Sequence, residues 1–324
     1  MINEVLPNIF CLKIPLPHNP LGVLNSYLIK GRERKLLIDT GFNWPECRSA
    51  LLEGIAELGV SLKDLEFLIT HVHADHSGLL FDLAPPGAVV YASKRDADEL
   101  RACFTGSYWE EVDREFGLHG FPQNRVGSEA NQIKSFISGH DLGFVYLQEG
   151  MVLEAAGYCF TCIMTPGHSP GHICLYDHKQ KVLISGDHIL PDISPNITLW
   201  PGVEDPLGDY LHSLDRIDQM EIELVLPGHR GFIRDCHGRI EELREHHRAR
   251  LNEITEILEA GAMDGYQVAS RMTWDMSYSS WDEFPPFQRW FATGEAVAHL
   301  QHLLLKEKII KITTPEKFLF ARPA

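Results

Sequence analysis

Three histidines and a carboxylate, His71, His73, Asp75 and His76, fall within six residues directly after the apolar run Leu65-Glu66-Phe67-Leu68-Ile69. A loop leaving a strand can turn all four side chains toward one point. Imidazole and carboxylate are ligand types that suit zinc, iron or nickel, and a water-activating site needs some coordination left open. A solvated polar loop is the bland alternative. With 17 histidines in 324 residues, so dense a cluster favours ligation.

The chain around this cluster follows a plan that it uses twice. Leu24-Asn25-Ser26-Tyr27-Leu28-Ile29 and Lys35-Leu36-Leu37-Ile38-Asp39 flank the polar turn Gly31-Arg32-Glu33-Arg34, a hairpin signal. Asn43 is a candidate helix cap with Pro45 in the first turn, and Leu51, Leu52, Ile55 and Leu58 form one apolar stripe. The strand into His71 follows. Further on, Ile173-Cys174-Leu175-Tyr176-Asp177 and the run from Lys181 to Asp187 make a second hairpin ending in an acid. A helical stretch from about Asp209 to Met220 then leads to Ile222-Glu223-Leu224-Val225-Leu226 and Pro227-Gly228-His229. Two β-α halves facing each other over one site predict a four-layer αββα sandwich.

The pattern His71-x-His73-x-Asp75-His76 after a strand is joined by three later motifs. These are Thr165-Pro166-Gly167-His168, Ser185-Gly186-Asp187 and Pro227-Gly228-His229. Together they resemble the metallo-β-lactamase superfamily over roughly residues 5 to 232, and the Thr-His-x-His-x-Asp-His-x-Gly form is similar to its glyoxalase-II-like branch. The resemblance implies the same αββα fold. It assigns His71, His73 and His168 to one metal and Asp75, His76 and His229 to another, with Asp187 bridging. The implied cofactors are two divalent cations, Zn2+ first, with Fe or Mn as alternatives.

The expected reaction is metal-assisted hydrolysis, a hydroxide held between the cations attacking an electrophilic carbon or phosphorus while Asp75 orients it. Asp39 occupies the repeat position of Asp187 and is expected to orient a ligand or hold the loop by hydrogen bonds. His172, His178 and His188 lie off the pattern, as supporting or surface groups. Trp200, in the loop after Asp187, is a candidate wall of the substrate pocket. The preferred substrate is a small acyl compound, a thioester or lactone. An RNA nuclease or phosphodiesterase, a mononuclear iron sulfur dioxygenase and a scaffold with a vestigial site are the alternatives.

Residues 1–232 are expected to form the catalytic domain, and residues 233–324 a smaller helical, winged-helix-like one. Between the halves, an insertion over about residues 93–145 carries Tyr108, Trp109, Phe116, Phe121 and Phe136, and is expected to be partly helical and to form a lid. In the C-terminal part, Ile240, Leu243, His247, Leu251, Ile254 and Leu258 recur at helical spacing. A second helix is expected from near Gly294, followed by a hairpin. That helix is nearly bare of Lys and Arg, which favours packing or homo-oligomerisation over nucleic-acid binding.

Charge points the same way. Against 29 basic residues stand 45 acidic ones, a net −16 that repels phosphate backbones. No apolar run approaches the roughly 20 residues that span a bilayer, and Met1-Ile2-Asn3-Glu4 lacks the start of a secretory signal. A cytosolic protein without membrane partners is expected. Seven cysteines do not suggest a disulfide framework. Cys159 and Cys162 sit in an alternating strand on opposite faces, and are expected to be buried structural thiols.

Overall fold

The computed structural model describes residues 2–122, 142–275 and 278–323; Phe136 of the insertion lies outside them. The first sheet comprises β1 (Ile2–Leu6), β2 (Ile9–Pro15), β3 (Val23–Lys30), β4 (Lys35–Ile38), β5 (Leu65–Leu68), β6 (Val90–Ser93) and β7 (Phe144–Leu147), paired in that order. Helix α1 (Pro45–Glu57) connects β4 to β5, and the short α2 (Ala74–Ser77) and α3 (Leu80–Leu83) follow β5. Two insertion helices, α4 (Lys94–Ala102) and α5 (Gly106–Leu118), follow β6. The second sheet contains β8 (Val152–Ala155), β9 (Tyr158–Met164), β10 (Ile173–Asp177), β11 (Val182–Gly186) and β12 (Leu224–Pro227), with α6 (Pro206–Asp218) joining the last two.

Period-2 alternation decides the layers. Ile9 and Cys11 of β2 meet Phe160, Leu175 and Ile184 of the second sheet in the core between the sheets. Leu12 and Ile14 of the same strand point the other way, into a core shared with Leu51, Ile55, Leu80 and Phe116. On the outer face of the second sheet, Cys174, Tyr176 and Leu183 pack against Leu207 and Leu214 of α6 and against Ile240 and Leu243 of α7 (Cys236–Ile257). The result is the four-layer αββα sandwich. The repeat is visible in the pairing: β3–β4 is antiparallel and β4–β5 parallel, as β10–β11 is antiparallel and β11–β12 parallel.

After α7 come α8 (Gly265–Ala269), α9 (Pro286–Leu305) and a hairpin of β13 (Ile310–Thr313) and β14 (Phe318–Ala321). They share a local core of Ile254, Met263, Val268, Leu300 and Phe320. Yet α9 reaches further. Its Trp290 and Val297 join the core under the first sheet and its Ala298 the core under the second. Burial on all sides explains why this helix is apolar around most of its circumference.

Some local expectations need correction. Helix α9 starts at Pro286, a residue suited to the first turn, and Gly294 lies inside it. Its glycine is a packing requirement, because a Cβ there would overlap Thr198 Oγ1. The N-cap position of α1 is Trp44, one residue after Asn43. Cys162 is buried but Cys159, on the opposite face, is exposed. Among the described residues no helix is long and apolar enough to cross a membrane.

Candidate metal centre

The cluster lies where the two sheets meet at strand ends. Beyond β5, the chain turns through His71 and His73 into α2, which carries Asp75 and His76. His168 stands in the loop between β9 and β10, Asp187 just past β11, and His229 just past β12. The sheets are tied together here: the Asn25 amide N–H donates to Gly228 O at 2.7 Å, and the Tyr27 hydroxyl to Pro227 O at 2.7 Å. Glycine is required at 228, since a Cβ would overlap Asp187 Oδ1 and stand 2.7 Å from His76 Cε1.

Three overlapping groups have ligand atoms within 4.8 Å of one another: His71, His73 and His168; His71, His76 and Asp187; and Asp75, His76 and His229. Neighbouring ring nitrogens face each other closely. His73 Nδ1 is 2.9 Å from His168 Nε2 and 3.1 Å from His71 Nε2, and His76 Nε2 is 3.3 Å from His229 Nε2. Asp187 stands between the groups, with Oδ1 3.4 Å from His76 Nε2 and Oδ2 3.7 Å from His168 Nε2 and 3.5 Å from His229 Nε2. Asp75 Oδ2 is 3.3 Å from His229 Nε2.

The outward nitrogens show which atoms are free to bind. His76 Nδ1 faces Asp39 Oδ2 at 2.7 Å, His168 Nδ1 faces Asn196 O at 2.8 Å, and His229 Nδ1 faces Val23 O at 2.8 Å. A carbonyl or carboxylate needs a proton from the ring, which leaves the inward Nε2 as a lone pair. Five imidazoles and two carboxylates converge, and Asp187 Oδ1 is buried without a hydrogen-bond partner. That donor set fits a divalent cation.

Charge is concentrated accordingly. Burial opposes protonation of His76, but Asp187, Asp39 and Asp75 outweigh it and hold its pKa well above the usual value. His229 is likewise buried, and Asp187 and Asp75 raise it to about 9. Burial lowers His71 strongly and brings His73 down to about 3, with neighbouring rings adding to the effect. Burial would raise Asp75, yet His76 and His229 bring it to about 2. Cations placed among these groups would take over the role of the shared protons.

The surrounding residues hold the cluster in place. Asp39 accepts from the Thr70 amide at 2.8 Å and the Thr70 hydroxyl at 2.8 Å, besides facing His76. His172 is buried, and its Nε2 accepts the Asp187 amide N–H at 3.1 Å, whereas His178 is exposed. Trp200 stacks on His73 with ring centroids 5.7 Å apart, and its indole N–H donates to His168 O at 3.2 Å.

Sequence reasoning missed Asp96 at the start of α4. It accepts from the Val72 amide at 2.9 Å, the Gly171 amide at 2.6 Å and the Ser169 hydroxyl at 2.5 Å, joining two ligand loops. Burial nevertheless raises its pKa to about 6. An acid in a first helical turn ordinarily serves the helix dipole, so no local signal marks it out.

The fold and this centre define a metallo-hydrolase. The chain belongs to the metallo-beta-lactamase superfamily, whose family profile matches residues 20–229. Probable metallo-hydrolase YqjP of Bacillus subtilis is 28% identical over 278 residues, covering 82% of this chain and 85% of that one. The human acyl-coenzyme A thioesterase MBLAC2 is 30% identical over 211 residues, 63% of this chain and 72% of that one. The crystal structure of a metallo-beta-lactamase family protein from Thermus thermophilus superposes with a TM-score of 0.85 at 30% identity, covering 99% of this chain and 100% of that one. The family and the His–Asp cluster together mark the centre as a site for divalent metal ions.

Proposed function

We propose that the chain hydrolyses acyl thioesters at a centre of two divalent cations, zinc first. His71, His73 and His168 would hold one, and Asp75, His76 and His229 the other, with Asp187 within reach of both groups. One observation carries the substrate class. A cavity of about 590 Å³ opens on His73, Asp75, His168 and Asp187, and aromatic side chains such as Trp44, Trp109, Trp200 and Trp290 form its walls. No Lys or Arg is among its described lining residues. Such a cavity suits an apolar acyl group, and its described lining carries no Lys or Arg to pair with a phosphodiester backbone.

Divalent cations, when bound, supply a Lewis acid and a water of lowered pKa. The protein supplies the rest. Asp75, ionised across the neutral range, accepts a hydrogen bond from the attacking water and aims it at the carbonyl carbon held at the cavity mouth. Water adds, the carbon–sulfur bond breaks, and the thiol leaves with a proton, so acid and thiol are the products. The acyl part stays in the aromatic cavity, against its apolar walls. Resemblance to a named acyl-coenzyme A thioesterase supports this reading.

The test is hydrolysis of a panel of acyl thioesters, lactones and phosphodiesters by metal-loaded protein. Thioester cleavage that falls by at least about 100-fold in Asp75→Ala is expected, as for loss of a positioned acid–base group. Full activity in that variant, one iron per chain with oxygen consumption, or preferential phosphodiester cleavage would each remove the proposal.

A further inference from the structure

The loop from 193 to 200 lies between the ligand cluster and the C-terminal helix α9. On its inner side, the Asn196 carbonyl accepts the His168 Nδ1 hydrogen bond at 2.8 Å, and Trp200 donates to His168 O at 3.2 Å. On its outer side, two consecutive residues of α9 hold the same loop. The Leu199 amide N–H donates to Gly294 O at 3.1 Å, and Asn196 Nδ2 donates to Glu295 Oε2 at 2.9 Å. Helix and loop are in close contact at Gly294, where a Cβ would overlap Thr198 Oγ1.

Glu295 is only 8% exposed. Its second oxygen stands 3.5 Å from the Arg250 guanidinium on α7, which itself lies 4.2 Å over the Trp274 ring. Packing alone does not require this arrangement, because Trp290, Val297 and Ala298 already bury α9 against the body. A buried ion pair adds little to stability over an apolar contact, though it can fix geometry. Here the geometry it fixes is that of Asn196. Its side-chain amide donates to Glu295 at 2.9 Å while its carbonyl meets His168 Nδ1 at 2.8 Å, so one residue joins the helix to the ring.

We propose that Glu295 is a positioning residue for His168. Through Asn196 it keeps the proton of His168 on Nδ1, and so keeps Nε2 free and aimed into the cluster. The C-terminal helix is thereby a working part of the metal centre. This inference rests on the reading of His168 as a metal ligand. If the Asn196 carbonyl were released, the ring could take the other tautomer, whose Nε2–H cannot bind a cation.

Chelator competition on the full chain, with Zn2+ and with Co2+ for its visible spectrum, tests the proposal in wild type, Glu295→Ala, Glu295→Gln and Asn196→Ala. In Glu295→Ala, affinity at one of two cation sites is expected to fall about 10- to 100-fold, the usual effect of losing a group that orients a ligand. The other site should be unchanged, and the Co2+ spectrum should change for one ion alone. Glu295→Gln should recover most of the loss, since its amide oxygen can accept the same hydrogen bond. Asn196→Ala leaves α9 intact and should repeat the defect even where Glu295→Ala does not fold. Wild-type affinity at both sites in folded Asn196→Ala, equal weakening of both sites, or a Glu295→Gln as impaired as the alanine variant would each overturn the proposal. A wild-type chain that takes up no divalent cation removes the metal reading itself, whatever the variants do.

Discussion

Asp39 Oδ2 stands 2.7 Å from His76 Nδ1, while the same carboxylate accepts both the amide and the hydroxyl of Thr70. One side chain thus ties the entry of the His71–His76 loop to a ring within it. Asp39 also has φ 59°, a left-handed conformation that asparagine tolerates well. Asp39→Asn therefore tests the carboxylate and not the backbone. Its amide group beside His76 Nδ1 would favour a proton on Nε2, and divalent-metal affinity is expected to fall about 10- to 100-fold. Chelator competition measures this, and unchanged affinity would show that Asp39 does not orient the ring.

Val112 of α5 lines the aromatic cavity and is 4% exposed. Val112→Phe should fill part of that space. Each methylene excluded from an apolar site forfeits about 0.8 kcal/mol, a factor of about four in binding. KM should rise for long-chain acyl thioesters and stay near wild type for short ones. An equal effect on both would place the acyl group elsewhere.

Gly294→Ala should destabilise the protein, against the usual trend for helices. In an unencumbered helix interior, alanine gains roughly 0.5–1 kcal/mol over glycine. Here the new Cβ would overlap Thr198 Oγ1 and lie 3.2 Å from Phe116 Cζ. A loss of about 1–3 kcal/mol in urea unfolding is expected from such overpacking. A neutral or stabilised variant would mean that the loop yields freely to α9.

His119, at the end of α5, is 4% exposed and stacks on Phe320 with ring centroids 5.8 Å apart. Burial, with Lys311 adding to it, lowers its pKa from 6.5 to about 4. The folded chain therefore binds this proton less readily than the unfolded one. Its contribution is complete above pH 6.5 and is lost as pH falls toward about 4, on the order of 3 kcal/mol in all. His119→Leu should flatten that part of the profile. Unfolding free energies of wild type and variant at about pH 7 and about pH 4.5 give the comparison, and parallel curves would contradict it.

Much of the molecule is written locally in the chain. Alternation in β2, β10 and β11 assigns inner and outer faces, and so the layers, because side chains of a strand project alternately whatever surrounds them. The run His71-x-His73-x-Asp75-His76 announces a ligand cluster because several donors on one short loop have few other uses. Gly294 misleads for the opposite reason. Viewed alone, glycine signals a helix end, and only the neighbouring loop shows why a helix interior needs it.

The sequence by itself determined the αββα layering, the superfamily and the chemical types gathered at its centre, all carried by short-range patterns. Apart from Asp39, which its place in the repeat marked, tertiary structure decided what holds those groups. Asp96 joins two ligand loops, His172 accepts the amide of Asp187, and Glu295 reaches His168 through Asn196. Each is an isolated polar residue, paired with a partner at a separation that no periodicity encodes. The aromatic cavity is likewise assembled from α5, α9 and several loops. Its shape comes from packing between segments distant in sequence.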